Sequence, residues 1–208
     1  MKYLHVIRFR FIGAIVASCA VVLLSAFKLS IVDRIMPFGM VALVPLMWAI
    51  YFATIITSLS CLTKFKSIRA YSLVPLSINL ISFVVVVLVP FTELWIKADF
   101  SLYRSDRDRV VSEVLQGILQ PNVEYNSSLI SLDQSYPLLS MGGNEIVAEE
   151  YEGQTYILFF TYRGVLDNYS GFLHVPEGGN PSRFSDLNEK DMTYIEHIDG
   201  NWYFVLHH

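Results

Sequence analysis

The sequence predicts a membrane protein with three transmembrane α-helices followed by a soluble α+β domain, one amphipathic helix packed on a four- or five-stranded antiparallel sheet. Three observations predict it. The first half of this 208-residue chain is built from long apolar stretches, and the whole is 53% hydrophobic, more than soluble globular proteins of this size carry. Charge divides at the same place. Residues 1–97 hold nine Lys and Arg against Asp33 and Glu93, a net of +7, whereas residues 98–208 hold six against seventeen acidic residues, a net of −11. Beyond Lys97, short β-branched and aromatic runs alternate with turn residues, the mark of strands. The expected division is therefore a membrane domain over residues 1–97 and an acidic domain over 98–208.

The first span is expected at about residues 11–27, behind Lys2, Arg8 and Arg10. Cations there favour a cytoplasmic N-terminus by the positive-inside rule. Val16-Ala17-Ser18-Cys19 fits the form of a lipoprotein cleavage box, but the apolar run continues through Leu24, so an uncleaved span is the expectation. Lys28 to Pro37 reads as a short connection. The second span follows at about 38–62, apolar apart from Thr54, Thr57, Ser58 and Ser60, whose hydroxyls are expected to bond a neighbouring helix or their own backbone.

Lys64, Lys66 and Arg69 then stand in a loop without an anion. Cations here and at the N-terminus place both on the cytoplasmic side, and three spans then carry residues 98–208 to the other side. The third span, at about 71–96, has no ionisable residue before Glu93 and at about 1.5 Å per residue is long enough for a hydrocarbon core of roughly 30 Å. It contains Asn79, expected to tie helices together rather than bind a solute. Glu93, Trp95 and Lys97 read as its interfacial end.

In the acidic half, Val110, Val111, Val114, Leu115, Ile118 and Leu119 recur at helical spacing within Tyr103 to Gln120, with Arg104, Asp106, Arg107, Asp108 and Glu113 expected off the apolar stripe. Strands are expected at Ile146 to Tyr151, Gln154 to Tyr162, Tyr169 to Val175, Thr193 to Ile198 and Trp202 to Leu206, with hairpin turns at Glu152-Gly153 and Asp199-Gly200. Gln154 to Tyr162 is apolar on both faces, which suits a central strand. Cys19 and Cys61 both fall in apolar stretches, so the acidic half has no disulfide to form and needs a packed core, for which its sixteen aromatic residues suffice.

The strong catalytic and nucleotide-binding signatures are missing from the sequence: there is no Walker loop, dinucleotide glycine motif, Cys-x-x-Cys, His-Glu-x-x-His or Gly-x-Ser-x-Gly. Asp167, Ser170 and His174 supply the residue types of an acid, nucleophile and base. Four residues along a strand nevertheless separate Ser170 and His174 by roughly 13 Å, too far for a direct hydrogen bond. His174, His197, His207 and His208 show no metal-ligand spacing, so no metal or cofactor is expected. The negative half opposes a nucleic-acid role. Glu149, Glu150 and Glu152, together with Arg163 and Asp167, are the interaction candidates, with the glutamates able to meet a basic partner or simply to solvate a sheet edge. The expectation is an interaction protein of the bilayer, displaying its acidic domain outside the cytoplasm to a protein partner such as a toxin or a membrane complex. A membrane-anchored hydrolase and a small transport or channel subunit are the alternatives.

Overall fold

A computed structural model describes residues 2–62, 69–164, 168–184 and 192–207. The chain forms two compact units, Met1–Trp95 and Ile96–His208. The first contains α1 (Lys2–Ala26), α2 (Lys28–Leu62), a 3-10 turn at Arg69–Ser72 and α3 (Val74–Leu88), followed by the opening residues of α4 (Phe91–Leu115).

Two segments, Arg8–Ala26 and Phe38–Leu62, are long and apolar enough to cross a membrane, and the count rises to three if α3 and α4 together form one broken span. Their apolar side chains face outward. Phe38 and Val41 are each 73% exposed and Ile56 67%, which is far more apolar surface than water tolerates and what a lipid environment requires. The unit is membrane-associated on this ground.

The predicted connection Lys28 to Pro37 is helical. Phe27 N–H donates to Leu23 O and Ile31 N–H to Phe27 O, both at 2.9 Å, so the helix runs on through Phe27. α1 packs along α2. Arg10 Nη1 donates to Cys61 Sγ at 3.3 Å, Ala17 and Val21 pack on Tyr51, and Leu23 and Leu24 share an apolar cleft with Leu43 and Met47.

The predicted single helix Tyr71 to Ile96 is corrected. α3 has 15 residues, about 22 Å at 1.5 Å per residue, short of a roughly 30 Å core. It ends because Pro90 has no N–H to give and its ring displaces the preceding turn, while Val89 adopts the extended backbone favoured before proline (φ −85°, ψ 120°). α4 then starts at Phe91, well before the expected Tyr103, and closes at Leu115 rather than Gln120. Gly117, at φ 72°, takes the left-handed conformation that ends it.

The second unit contains six strands, one more than expected: β1 (Leu129–Ser131), β2 (Glu145–Tyr151), β3 (Gln154–Arg163), β4 (Tyr169–His174), β5 (Met192–Asp199) and β6 (Trp202–His207). Their order is β1-β2-β3-β4-β6-β5, antiparallel throughout. β6 thus slots between β4 and β5. The Glu152-Gly153 hairpin has positive φ at both residues, 51° and 77°, as a type I′ turn demands.

Both faces of the sheet are covered. Phe100, Val110 and Val111 of α4 pack on Ile146, Ile157, Phe159, Phe172, Trp202 and Phe204. On the opposite face Tyr156, Leu158, Leu173 and Val205 are buried with Phe184, which follows the 3-10 turn Pro181–Arg183. A two-layer helix-on-sheet picture is therefore incomplete: the segment after β4 folds back over the sheet, and Tyr156 Oη accepts a bond from Asn180 N–H at 3.2 Å. Gly171 is the tightest point of the core. A Cβ there would lie less than 3.0 Å from the Phe159 carbonyl oxygen and 2.8 Å from Leu158 Cδ1.

Candidate functional site

The antiparallel register gathers acidic groups at one end of the sheet. β2 ends, β3 begins, β4 ends, β5 ends and β6 begins there, so the row Ala148, Ile157, His174, Trp202, Asp199 runs across five strands. Beyond that row lie Glu150 and Glu152 of the β2–β3 hairpin, and Gln154 Nε2 donates to the carbonyl of Glu177 at 3.4 Å, which brings the loop after β4 to the same end. Glu150, Glu152, Glu177 and Asp199 are all exposed. Glu149 is half-buried one residue earlier. Past Ala148, whose N–H bonds Ser128 O at 2.8 Å, β2 outruns β1, so these glutamates flank an open sheet edge.

Among the described residues, three of the five arginines of the acidic half, Arg107, Arg109 and Arg163, are paired with other carboxylates, while Arg104 and Arg183 meet this end at Asp199 and Tyr151. Arg104 bonds Asp199 and approaches Asp108 at 3.5 Å. Arg109 lies 3.7 Å from Asp106 and over the Tyr136 ring. Arg163, an interaction candidate, bonds Glu145 at 2.7 Å and covers Phe160, while Arg183 donates to Tyr151 Oη at 2.7 Å. Arg107 is buried with Asp99.

Arg107 was expected off the apolar stripe, and it lies on it. It is 1% exposed, donates from Nη2 to the Asp99 carboxylate and to the Leu139 carbonyl at 3.1 Å, and stacks 4.5 Å above the Phe172 ring. A guanidinium is buried only with such partners. Burial raises the Asp99 carboxyl above its usual range, against the opposing pull of the Arg107 cation. The sequence signal was present: Phe100, Tyr103, Arg107, Val110, Val111 and Val114 share one helical stripe.

His174 sits on that cross-strand row, between Ile157 and Trp202. Its ring meets Trp202 edge to face with centroids 5.2 Å apart, and Trp202 Nε1 donates to Asp108 at 2.9 Å. Its Nδ1 is buried without a hydrogen-bond partner, and burial lowers its pKa despite the Asp108 charge nearby. Ser170 lies at the far end of β4, opposite Tyr162 and Leu206, with its Oγ 2.8 Å from Thr161 Oγ1. Its hydroxyl is thus engaged away from His174. Asp167 and His208 lie outside the described residues. His197 Nε2 is 2.8 Å from Gly200 O, and His207 stacks on Tyr169. Among the described residues no group of three or more His, Cys, Asp or Glu is placed to hold a metal.

In the helical unit the polar side chains converge. Asn79 is fully buried, accepts from Ser18 Oγ at 3.3 Å and donates to Ser58 Oγ at 3.2 Å, so one amide joins all three helices. Ser82 Oγ bonds Ser18 Oγ at 2.9 Å and lies 2.8 Å from Tyr51 Oη, which also donates to the Asn79 carbonyl. Thr54, Thr57, Ser58 and Ser60 each bond a carbonyl three or four residues back in α2. Comparison with family models, with curated proteins and with solved structures finds no match for this chain.

Proposed function

We propose that this protein is a membrane-anchored interaction protein whose acidic α+β unit receives a basic protein partner on the extracytoplasmic side. The observation that carries the reading is the anionic end of the sheet. Glu150, Glu152, Glu177 and Asp199 are exposed together, with Arg104 bound to Asp199 and Arg183 to Tyr151 between the two hairpin glutamates. Such a surface steers a cationic partner and rejects anionic ones, nucleic acid included. The orientation rests on sequence: Lys2, Arg8 and Arg10 before the first span and Lys64, Lys66 and Arg69 before α3 favour the cytoplasm, and with α3 and α4 counted as one broken span the three crossings take the acidic unit across. A toxin held by an immunity protein and a subunit of a membrane complex both fit this chemistry.

The test is affinity purification of the full chain from its native membrane, beside the triple variant Glu150→Lys, Glu152→Lys, Glu177→Lys. The wild type is expected to retain a stoichiometric basic protein that high salt releases, and the variant to lose it. Recovery of no stoichiometric partner, or equal recovery by both proteins, contradicts the proposal.

A further inference from the structure

At one end of the helical unit, where α1 passes into α2 and α3 breaks at Pro90, there is a cleft of about 270 Å³. Ser25, Lys28, Val86, Val89, Thr92 and Glu93 line it. Its charges come from two different helices. Lys28 opens α2 and Glu93 lies in the first turn of α4, both are exposed, and neither is in an ion pair with the other or with any described residue. The amides of Thr92 and Glu93 add donors, since neither has a backbone acceptor among the described residues, whereas Leu94 N–H already bonds Pro90 O at 3.0 Å. The apolar segment of α1 stops at Ala26 and α3 stops at Leu88. The cleft therefore lies where both helices end, with Val86 and Val89 on the side that leads back along α3.

We propose that this cleft holds the headgroup of one phosphatidylethanolamine-type lipid, with the Lys28 ammonium on the phosphodiester and the Glu93 carboxylate on the primary amine. A zwitterion matches two opposite charges that leave each other unpaired. A phosphodiester accepts strongly from an ammonium and from free amides, and a primary ammonium donates hydrogen bonds to a carboxylate. A choline headgroup has no N–H to donate. A glycerol headgroup offers Glu93 no cation. Val86 and Val89 meet the first methylenes of an acyl chain, so the bound species is a lipid and not a free phosphate ester.

Native mass spectrometry of the full-length chain in detergent, with ethanolamine, choline and glycerol phospholipids of matched chains in equal amounts, tests this. One ethanolamine lipid is expected to stay bound. Lys28→Gln is expected to lower its retention about tenfold and Lys28→Arg to keep it, while Glu93→Gln erases the preference for ethanolamine over choline. Glycerophosphoethanolamine, the headgroup without acyl chains, is expected not to displace the lipid. Equal retention of the three lipids, an unchanged preference in Glu93→Gln, or full displacement by the chainless headgroup overturns the proposal. If Lys28→Gln fails to fold, Lys28→Arg and Glu93→Gln still decide it.

Discussion

The Asn79 amide nitrogen lies 3.2 Å from Ser58 Oγ in the interior of the helical unit, while its carbonyl oxygen accepts from Ser18 Oγ at 3.3 Å. Where the surroundings are hydrocarbon, apolar packing alone gives helices little reason to choose one partner over another, and an amide shared by three helices supplies that choice. Asn79→Leu is expected to destabilise the unit by about 1 kcal/mol, and Ser82→Ala by less. Unfolding of the full chain in mixed micelles checks the order. A network that bonded solute instead of helices would leave stability unmoved.

Arg107 and Asp99 form a pair at 1% and 12% side-chain exposure. Removing one member strands the other charge in the core, so Arg107→Met alone is expected to cost about 3–5 kcal/mol. The double variant Arg107→Met, Asp99→Leu is expected to recover much of that loss. Denaturant titration of the three proteins, followed by near-UV circular dichroism, gives the coupling.

Stability is expected to fall on mild acidification because of His174. Burial holds its folded-state pKa below the ordinary 6.5, so between the two values the unfolded chain binds more protons than the folded one. The contribution is present above pH 6.5 and is lost as pH falls through the folded value. His174→Gln is expected to flatten the dependence just below pH 6.5. The comparison is melting temperature against pH for wild type and variant, and parallel curves would exclude His174 as the source.

Gly171 carries no side chain because its neighbours occupy that space. Gly171→Ala is expected to push β4 from β3 at Phe159 and to cost at least about 1–3 kcal/mol. Gly153→Ala, at φ 77° but with open space around it, is expected to cost about 1 kcal/mol. Melting curves separate the steric case from the conformational one.

These expectations also show what the sequence discloses. The strands of the acidic half could be read because alternation and turn residues are local signals, and the Glu152-Gly153 turn names its own backbone conformation. β1 escaped because three residues carry no period, and it exists only by pairing with β2. The break at Pro90 was hidden inside a continuous apolar run, where hydropathy counts residues without asking which can donate a hydrogen bond. Arg107 was read as a surface charge on composition although its spacing put it on the buried stripe. Only tertiary structure supplies Asp99 and the Leu139 carbonyl that make its burial tolerable. The acidic glutamates were legible as residues, but their meeting with Glu177 and Asp199 at one sheet end depends on strand order, which no local pattern encodes.

The side of the membrane on which Glu150 lies tests the central claim most directly. In a chain with Cys19→Ser and Cys61→Ala, a Glu150→Cys substitution gives one thiol at an exposed position. A membrane-impermeant maleimide applied to intact cells is expected to label it fully, with no increase after lysis. Labelling only after lysis would place the acidic unit in the cytoplasm and contradict the account.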